Sequence, residues 1–289
     1  MNKRGLFKTK SDKPFKISRS KIELFLECRR CFYLDRVVGV LRPDGFPFNL
    51  NSAVDHLLKK EFDIHRHSET AHPLMQKYKI KARPFQHKDI DTWRENFVGV
   101  QFLHSDTNLL VFGAVDDVWI NDHDELHVVD YKSTSKDSAV TINAPWQGGY
   151  RRQMEMYQWL LAQNGFTVSD IGYFVYANGL RDKKAFDAKL EFDVTIHEYR
   201  GDTTWVEPTL YEIKEILEGA TCRCQPLVAR TVPTAMHIRR PQITTYNYDI
   251  LRKSLRVCKA NSERGNAHLC GSGKSMRQQQ SLASSWQHS

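Results

Sequence analysis

Gly113-Ala114-Val115-Asp116-Asp117-Val118-Trp119-Ile120, the polar turn Asn121-Asp122-His123-Asp124 and the run Leu126-His127-Val128-Val129-Asp130-Tyr131-Lys132 read as two β-rich segments joined in a hairpin. Each segment sets a carboxylate among apolar neighbours: Asp116 in the first, Asp130 at the end of the second. Carboxylates are rarely buried unless paired or metal-bound, because an isolated desolvated charge is very costly. Two of them on paired strands can share one hard cation, with water and the Tyr131 carbonyl completing an oxygen shell of the kind Mg²⁺ or Mn²⁺ accepts. Lys132 follows Asp130 by two residues and so points to the same face of the strand. There its ammonium can neutralise a phosphate oxygen or orient an attacking water. The competing reading is a set of solvent-side charges at strand ends with an incidental Asp–Lys pair. Asp117 points to the opposite face and is expected at the surface.

Length and composition bound the rest. A chain of 289 residues can bury a substantial core and is most simply one enlarged α/β domain with appendages, since domains commonly run to about 250 residues. No apolar run approaches the roughly 20 residues that span a bilayer, and Met1 to Lys16 is basic without the apolar stretch of a signal peptide. A soluble cytoplasmic protein with reduced thiols is expected. The net charge of +8 would ordinarily point to a polyanionic partner. Its distribution weakens that inference: residues 1–218 hold 31 Lys+Arg against 32 Asp+Glu, and residues 219–289 hold 11 against 2. The whole excess therefore belongs to the C-terminal segment.

Periodicity predicts a first helix from Ser20-Lys21-Ile22-Glu23, a capping-box pattern, and a second over about Ser52 to Arg66 with Val54, Leu57, Leu58 and Phe62 inward. Residues 67–97, with Pro73 and Pro84, are read as loops with at most a short helix. Asn108 to Ile120 and Glu125 to Tyr131 form the hairpin, Tyr150 to Gln163 a helix ended by Gly165, Ile171 to Tyr176 and Leu190 to Ile196 strands, and Val206 to Leu217 a last helix. Beyond Gly219 acidic residues almost vanish and Ser, Gln and Arg rise. The organisation expected is a flexible N-terminus over 1–16, a folded domain over 17–218 and an atypical basic, poorly structured tail over 219–289. A nucleic-acid-binding extension and a shifted reading frame are the alternatives for that tail.

Three motifs follow one another: Gly113-x-Val115-Asp116, Asp130-Tyr131-Lys132, and Gln153-Met154-Glu155-Met156-Tyr157. Together they resemble the G-x-[VI]-D, D-x-K and Q-x-x-x-Y motifs of the PD-(D/E)XK nuclease superfamily, specifically its RecB-like exonuclease branch, which includes CRISPR-associated members. Ser20-Lys21-Ile22 with Cys28-Arg29-Arg30-Cys31-Phe32-Tyr33-Leu34 is similar to that branch's opening helix. The likeness covers about residues 17–218 and implies a restriction-endonuclease-like α/β core, a central mixed sheet flanked by helices.

The resemblance further implies that Asp116 and Asp130 bind the divalent metal, that Lys132 is the catalytic lysine, and that Gln153 and Tyr157, spaced to share a helix face, support the site. Relatives often carry a histidine ligand on an early helix; here His56 is the candidate and Asp55 its rival. Some members hold an iron–sulfur cluster with one cysteine in the N-terminal segment and three after the core. Cys28 and Cys31 with Cys222 and Cys224 are the candidates here for a cluster or zinc. The C-x-C spacing of the second pair departs from the usual C-x-x-C, and free thiols are the favoured state. The function expected is metal-dependent hydrolysis of single- or double-stranded DNA, exonucleolytic in mode, with Arg151, Arg152 and Lys136 as phosphate contacts. Partners in repair, CRISPR or phage defence follow from the same likeness, and no membrane is involved. The alternatives are a nuclease-fold nucleic-acid-binding protein with weak or no turnover, and a structural metal-binding module built on the cysteines.

Overall fold

The run from Asn108 to Ile120 is two strands rather than one, and the break between them organises the molecule. The computed structural model describes residues 5–42 and 49–219. In it β1 (Phe15–Ser18), β3 (Val100–His104) and β4 (Leu109–Gly113) form a three-stranded sheet in the order β1-β4-β3. β2 (Ala82–Pro84), β5 (Asp117–Asn121), β6 (Leu126–Thr134), β7 (Ile171–Gly179) and β8 (Phe192–Arg200) form a five-stranded sheet in that spatial order. Ala114, Val115 and Asp116 carry the chain from one sheet to the other. The pairings are mixed: β5 with β6 is antiparallel, whereas β6 with β7 and β1 with β4 are parallel.

The helices are α1 (Arg19–Glu27), α2 (Arg29–Tyr33), α3 (Asn49–His67), α4 (Pro73–Lys77), α5 (Ile90–Arg94), α6 (Gly148–Gln163) and α7 (Val206–Leu217). Alternation along the five-stranded sheet divides its side chains between two cores. Val118, Val128 and Phe174 join Met154, Tyr157 and Leu161 of α6, Ile22 and Phe25 of α1, and Leu210 and Ile213 of α7. Trp119, Val129, Tyr131 and Val175 join Leu58 and Phe62 of α3 and Met75 of α4. Phe62 stacks on Trp119 with ring centroids 5.4 Å apart. Among the described residues no helix is long and apolar enough to cross a membrane.

Several expectations shift by a physical cause. The first helix starts at Arg19, and Ser18, its N-cap, makes no side-chain cap. Ser20 and Glu23 therefore lie inside the helix and form no capping box, and the Glu23 carboxylate is bound instead by the Arg152 guanidinium of α6. The inward face of α3 is Leu58, Phe62 and Arg66, whereas Leu57 is exposed. Within residues 5–16 the Phe7 amide donates to the Arg36 carbonyl at 2.8 Å, and the Phe7 ring packs edge-on against Phe15. The tail reading of residues beyond Gly219 lies outside the described residues.

Asp117 is the largest departure. It faces away from Asp130 as expected, yet it is fully buried rather than at the surface. Its Oδ1 accepts from Arg66, itself 2 % exposed, from Arg94 at 3.0 Å and from the Val118 amide at 2.8 Å; its Oδ2 accepts from the Tyr131 hydroxyl at 2.7 Å. Arg94 also donates to both Asp63 oxygens at 2.9 Å and from Nε to the Asp116 carbonyl at 3.1 Å. The carboxylate is thus fully satisfied, which is what burial of a charge requires. Asp117→Ala removes the carboxylate that Arg66 and Arg94 share and leaves them to share Asp63, so the cost should reach at most the about 3–5 kcal/mol of a broken buried pair. Urea denaturation should show a loss of up to that size, with Asp117→Asn losing less.

Candidate active site

The β5–β6 register pairs Asp117 with Val129, and one step further along the same diagonal sets Asp116 across from Asp130. The Tyr131 amide donates to Asp116 Oδ2 at 3.0 Å, which locks this carboxylate against the strand. Asp130 is fully buried, and neither of its oxygens accepts a hydrogen bond in acceptable geometry. Its contact is an ion pair with the Lys132 ammonium, which lies against Oδ2. Burial pushes the Asp130 carboxyl up to about 7; Lys132 pulls against this rise and Asp116 adds to it. Burial depresses the Lys132 ammonium, but Asp130 and Asp116 outweigh that, so its pKa stands above the ordinary lysine value.

Helix α6 supplies the next layer. Gln153 donates from Nε2 to the Tyr157 hydroxyl at 3.2 Å. Tyr157 is 3 % exposed, and burial, with the fields of Asp116 and Asp130 added and that of Arg19 opposed, raises its phenol pKa. Its ring explains the first glycine of the G-x-V-D motif: a Cβ on Gly113 would stand 2.6 Å from Tyr157 Cε1.

Two residues of α3 complete the carboxylate side. Lys59 donates to Asp55 Oδ2 at 2.9 Å and to Asp116 Oδ1 at 3.2 Å. Burial and the nearby Asp116 raise the Asp55 carboxyl. His56 is exposed and makes no such approach; of the two candidates on this helix, Asp55 is the one turned toward Asp116. Adjacent helical positions differ by about 100° around the axis, which the small-x-x-x-His spacing could not resolve.

Arg19 belongs to the site although the sequence reading missed it. The parallel pairing of Ser18 with Phe112 brings it beside Gly113, and its charge favours the ionised forms of Asp130 and Tyr157. Its signal was a short strand, β1, that four residues cannot announce on their own. Arg152 is committed to Glu23, and Arg151 donates to the Ile142 carbonyl at 2.8 Å, so these two brace α6 and its preceding loop. Lys136 has no carboxylate partner among the described residues. Its ammonium sits 4.9 Å from the Trp146 ring centroid.

The cysteine pair lies at the α1–α2 junction. Cys28 and Cys31 are free thiols with sulfurs 2.9 Å apart. Burial opposes the Cys28 thiolate, but hydrogen bonds from the side chain and backbone of Cys31, with Arg42 nearby, outweigh it and lower its pKa. Cys222 and Cys224 lie outside the described residues.

Does the site suit a divalent cation? Among the described residues no group of three or more His, Cys, Asp and Glu side chains converges. The protein's share is therefore two carboxylates, one of them buried with oxygens that no hydrogen-bond donor satisfies. That set fits Mg²⁺, which is commonly held by one or two carboxylates with water and substrate phosphate oxygens.

Two carboxylates and a lysine on adjacent strands, backed by a glutamine–tyrosine helix, make up the candidate site. A family model for the PD-(D/E)XK nuclease superfamily matches residues 49–229. The chain belongs to this superfamily. The match takes in Asp116, Asp130, Lys132, Gln153 and Tyr157 and begins after Arg19, Cys28 and Cys31. Membership places the protein among nucleases, enzymes that act on nucleic acid and in general use divalent metals such as Mg²⁺. A comparison with the curated proteins found no match.

The folded chain keeps on Asp130 a proton that the unfolded chain releases near the ordinary value of 3.8. This group's contribution to stability therefore falls as pH rises from about 4 to about 7 and levels off above that. Asp130→Asn removes the titration and should flatten that part of the metal-free stability curve. Denaturation midpoints followed across this window check it, and parallel curves for the two proteins would refute it.

Proposed function

We propose that the protein is a metal-dependent deoxyribonuclease of the RecB-like exonuclease branch, hydrolysing phosphodiester bonds at the Asp116–Asp130–Lys132 centre. The observation that carries this reading is Asp130: a fully buried carboxylate without hydrogen-bond donors, beside a charged lysine and opposite a second carboxylate. A purely structural buried carboxylate looks different, as Asp117 does with its full complement of donors. The ordered G-x-V-D, D-x-K and Q-x-x-x-Y motifs support the choice of branch.

Asp116 and Asp130 would hold Mg²⁺ or Mn²⁺. When bound, the cation supplies Lewis-acid polarisation of a phosphoryl oxygen and lowers the pKa of a coordinated water. Lys132 stays protonated through the working pH range because its carboxylate neighbours outweigh burial. It can therefore hold the incoming water or stabilise charge developing on the phosphoryl oxygens. The Tyr131 amide and Lys59 fix the two oxygens of Asp116, so that carboxylate needs little reorganisation. Gln153 orients the Tyr157 hydroxyl beside the carboxylates, and Arg19 adds positive potential at Asp130 and Tyr157.

Lys132→Ala should lower the rate of DNA hydrolysis by about 100-fold or more, and EDTA should abolish it in the native chain. The assay is release of nucleotides from single- and double-stranded DNA with Mg²⁺ or Mn²⁺. A Lys132→Ala protein that cleaves at the native rate would sink the assignment.

A further inference from the structure

Trp146 is 62 % exposed, although large aromatic side chains usually gain free energy by burial. Phe97 and Phe186 are more exposed still, but among the described residues neither packs against another ring or a cation. Trp146 does both. Its ring meets Tyr150 edge-on with centroids 5.8 Å apart. Tyr150 in turn lies under the Lys132 ammonium, 4.7 Å from its ring centroid, and Lys136 covers the Trp146 ring from its own side. An aromatic and cationic path therefore runs outward from the lysine of the hydrolytic centre.

The indole is not displayed by a slack loop. Trp146 sits in the single 3-10 turn Pro145–Gln147 that leads into α6. Gln147, 1 % exposed, holds this turn from within: its Oε1 accepts from the Ala144 amide at 2.9 Å, and its Nε2 donates to the Thr141 carbonyl at 2.5 Å and to the Tyr176 hydroxyl at 3.2 Å. Arg151 ties the Ile142 carbonyl back to the helix. Lys136 is fixed at its backbone by Asn178, which accepts from the Lys136 amide at 2.9 Å and donates to its carbonyl at 3.1 Å. A rigid, solvent-facing indole loses little entropy when a flat ligand covers it.

We propose that Trp146, Tyr150 and Lys136 form a stacking platform for unpaired bases, so that the centre acts on single-stranded nucleic acid, a specificity that rests on the nuclease reading above. Base faces in a duplex are covered by their neighbours, whereas every unpaired base offers a π-face to an aromatic side chain. One base stacks on Trp146, Lys136 meets the adjoining phosphate, and Tyr150 lines the short path that leads the next phosphate to Lys132. Lys136 thus keeps the phosphate-binding role expected of it, while Arg151 and Arg152 build the scaffold.

The test is binding of a labelled oligothymidylate and of a blunt duplex to the full chain in EDTA, where hydrolysis is silent, read by fluorescence anisotropy. Trp146→Ala should weaken single-strand binding by about tenfold or more and leave duplex binding within about twofold, while Trp146→Phe retains most of the single-strand affinity. Lys136→Ala should reduce the salt dependence of single-strand binding by about one counterion. Unchanged single-strand affinity in Trp146→Ala, or an equal loss on both substrates, overturns the platform. Metal-dependent hydrolysis that still requires Lys132 would in that case leave the nuclease reading standing. Failure of the native chain to bind or cleave either nucleic acid would remove both.

Discussion

The burial of Asp117 is the constraint on which the site's geometry depends. The chain leaves β4, crosses between sheets in three residues and enters β5, a course that extended backbone pairing does not by itself fix. What fixes it is the carboxylate at the first position of β5, clamped by Arg66 from α3, Arg94 from α5 and the Tyr131 hydroxyl from β6. Arg94 simultaneously takes the Asp116 carbonyl. The two adjacent aspartates therefore divide by the parity of the strand: Asp117 is saturated with donors in the α3 core, whereas Asp116 turns toward Asp130 and holds one donor on each oxygen, the Tyr131 amide and Lys59. Charge burial is the common element, and the supply of partners separates the saturated Asp117 from Asp130, whose oxygens have no hydrogen-bond donor.

The side of the sheet that carries Asp130 balances charge rather than excluding it. Asp116, Asp130 and Asp55 are opposed by Lys59 and Lys132, with Arg19 contributing from α1. Like charges held close raise one another's pKa, and Asp130 shows the result most clearly because burial acts in the same sense. Such a cluster needs positive charge held close by. The lysines meet that need from within the protein, while Asp130, lacking hydrogen-bond donors, keeps capacity for a ligand with stricter geometry than an ammonium.

Much of this was legible in the sequence, for reasons that differ by element. The β5–β6 hairpin was readable because Asn121 is both a turn former and a cap, its Oδ1 accepting from the amides of His123 and Glu125 at 2.9 Å. α7 was readable from its periodicity, since it buries a stripe, whereas α6 was read from one apolar face although every residue from Met154 to Leu161 is buried. The short strands β1 and β3 carried no comparable signal, and with β1 went the position of Arg19. Asp117 was misplaced because strand parity gives a direction, not a destination: the arginines that receive it lie 51 and 23 residues away in sequence. The sequence could not choose between Asp55 and His56 for a related reason, as both satisfy the residue pattern and only the rotation of α3 sets Asp55 nearer Asp116.

The three motifs look like independent catalytic insertions in the sequence, yet sterics bind them into one unit. The space that a side chain at position 113 would fill belongs to the Tyr157 ring, so the glycine that opens the first motif exists for the tyrosine that closes the third. The amide that positions Asp116 is that of Tyr131, the middle residue of the second motif, whose hydroxyl in turn satisfies Asp117. A change in any motif is therefore felt in the other two through packing before it is felt in the chemistry. That coupling gives the ordered trio its meaning: each residue pattern alone is common, but their co-occurrence in one chain reflects a single close-packed junction of two sheets and a helix.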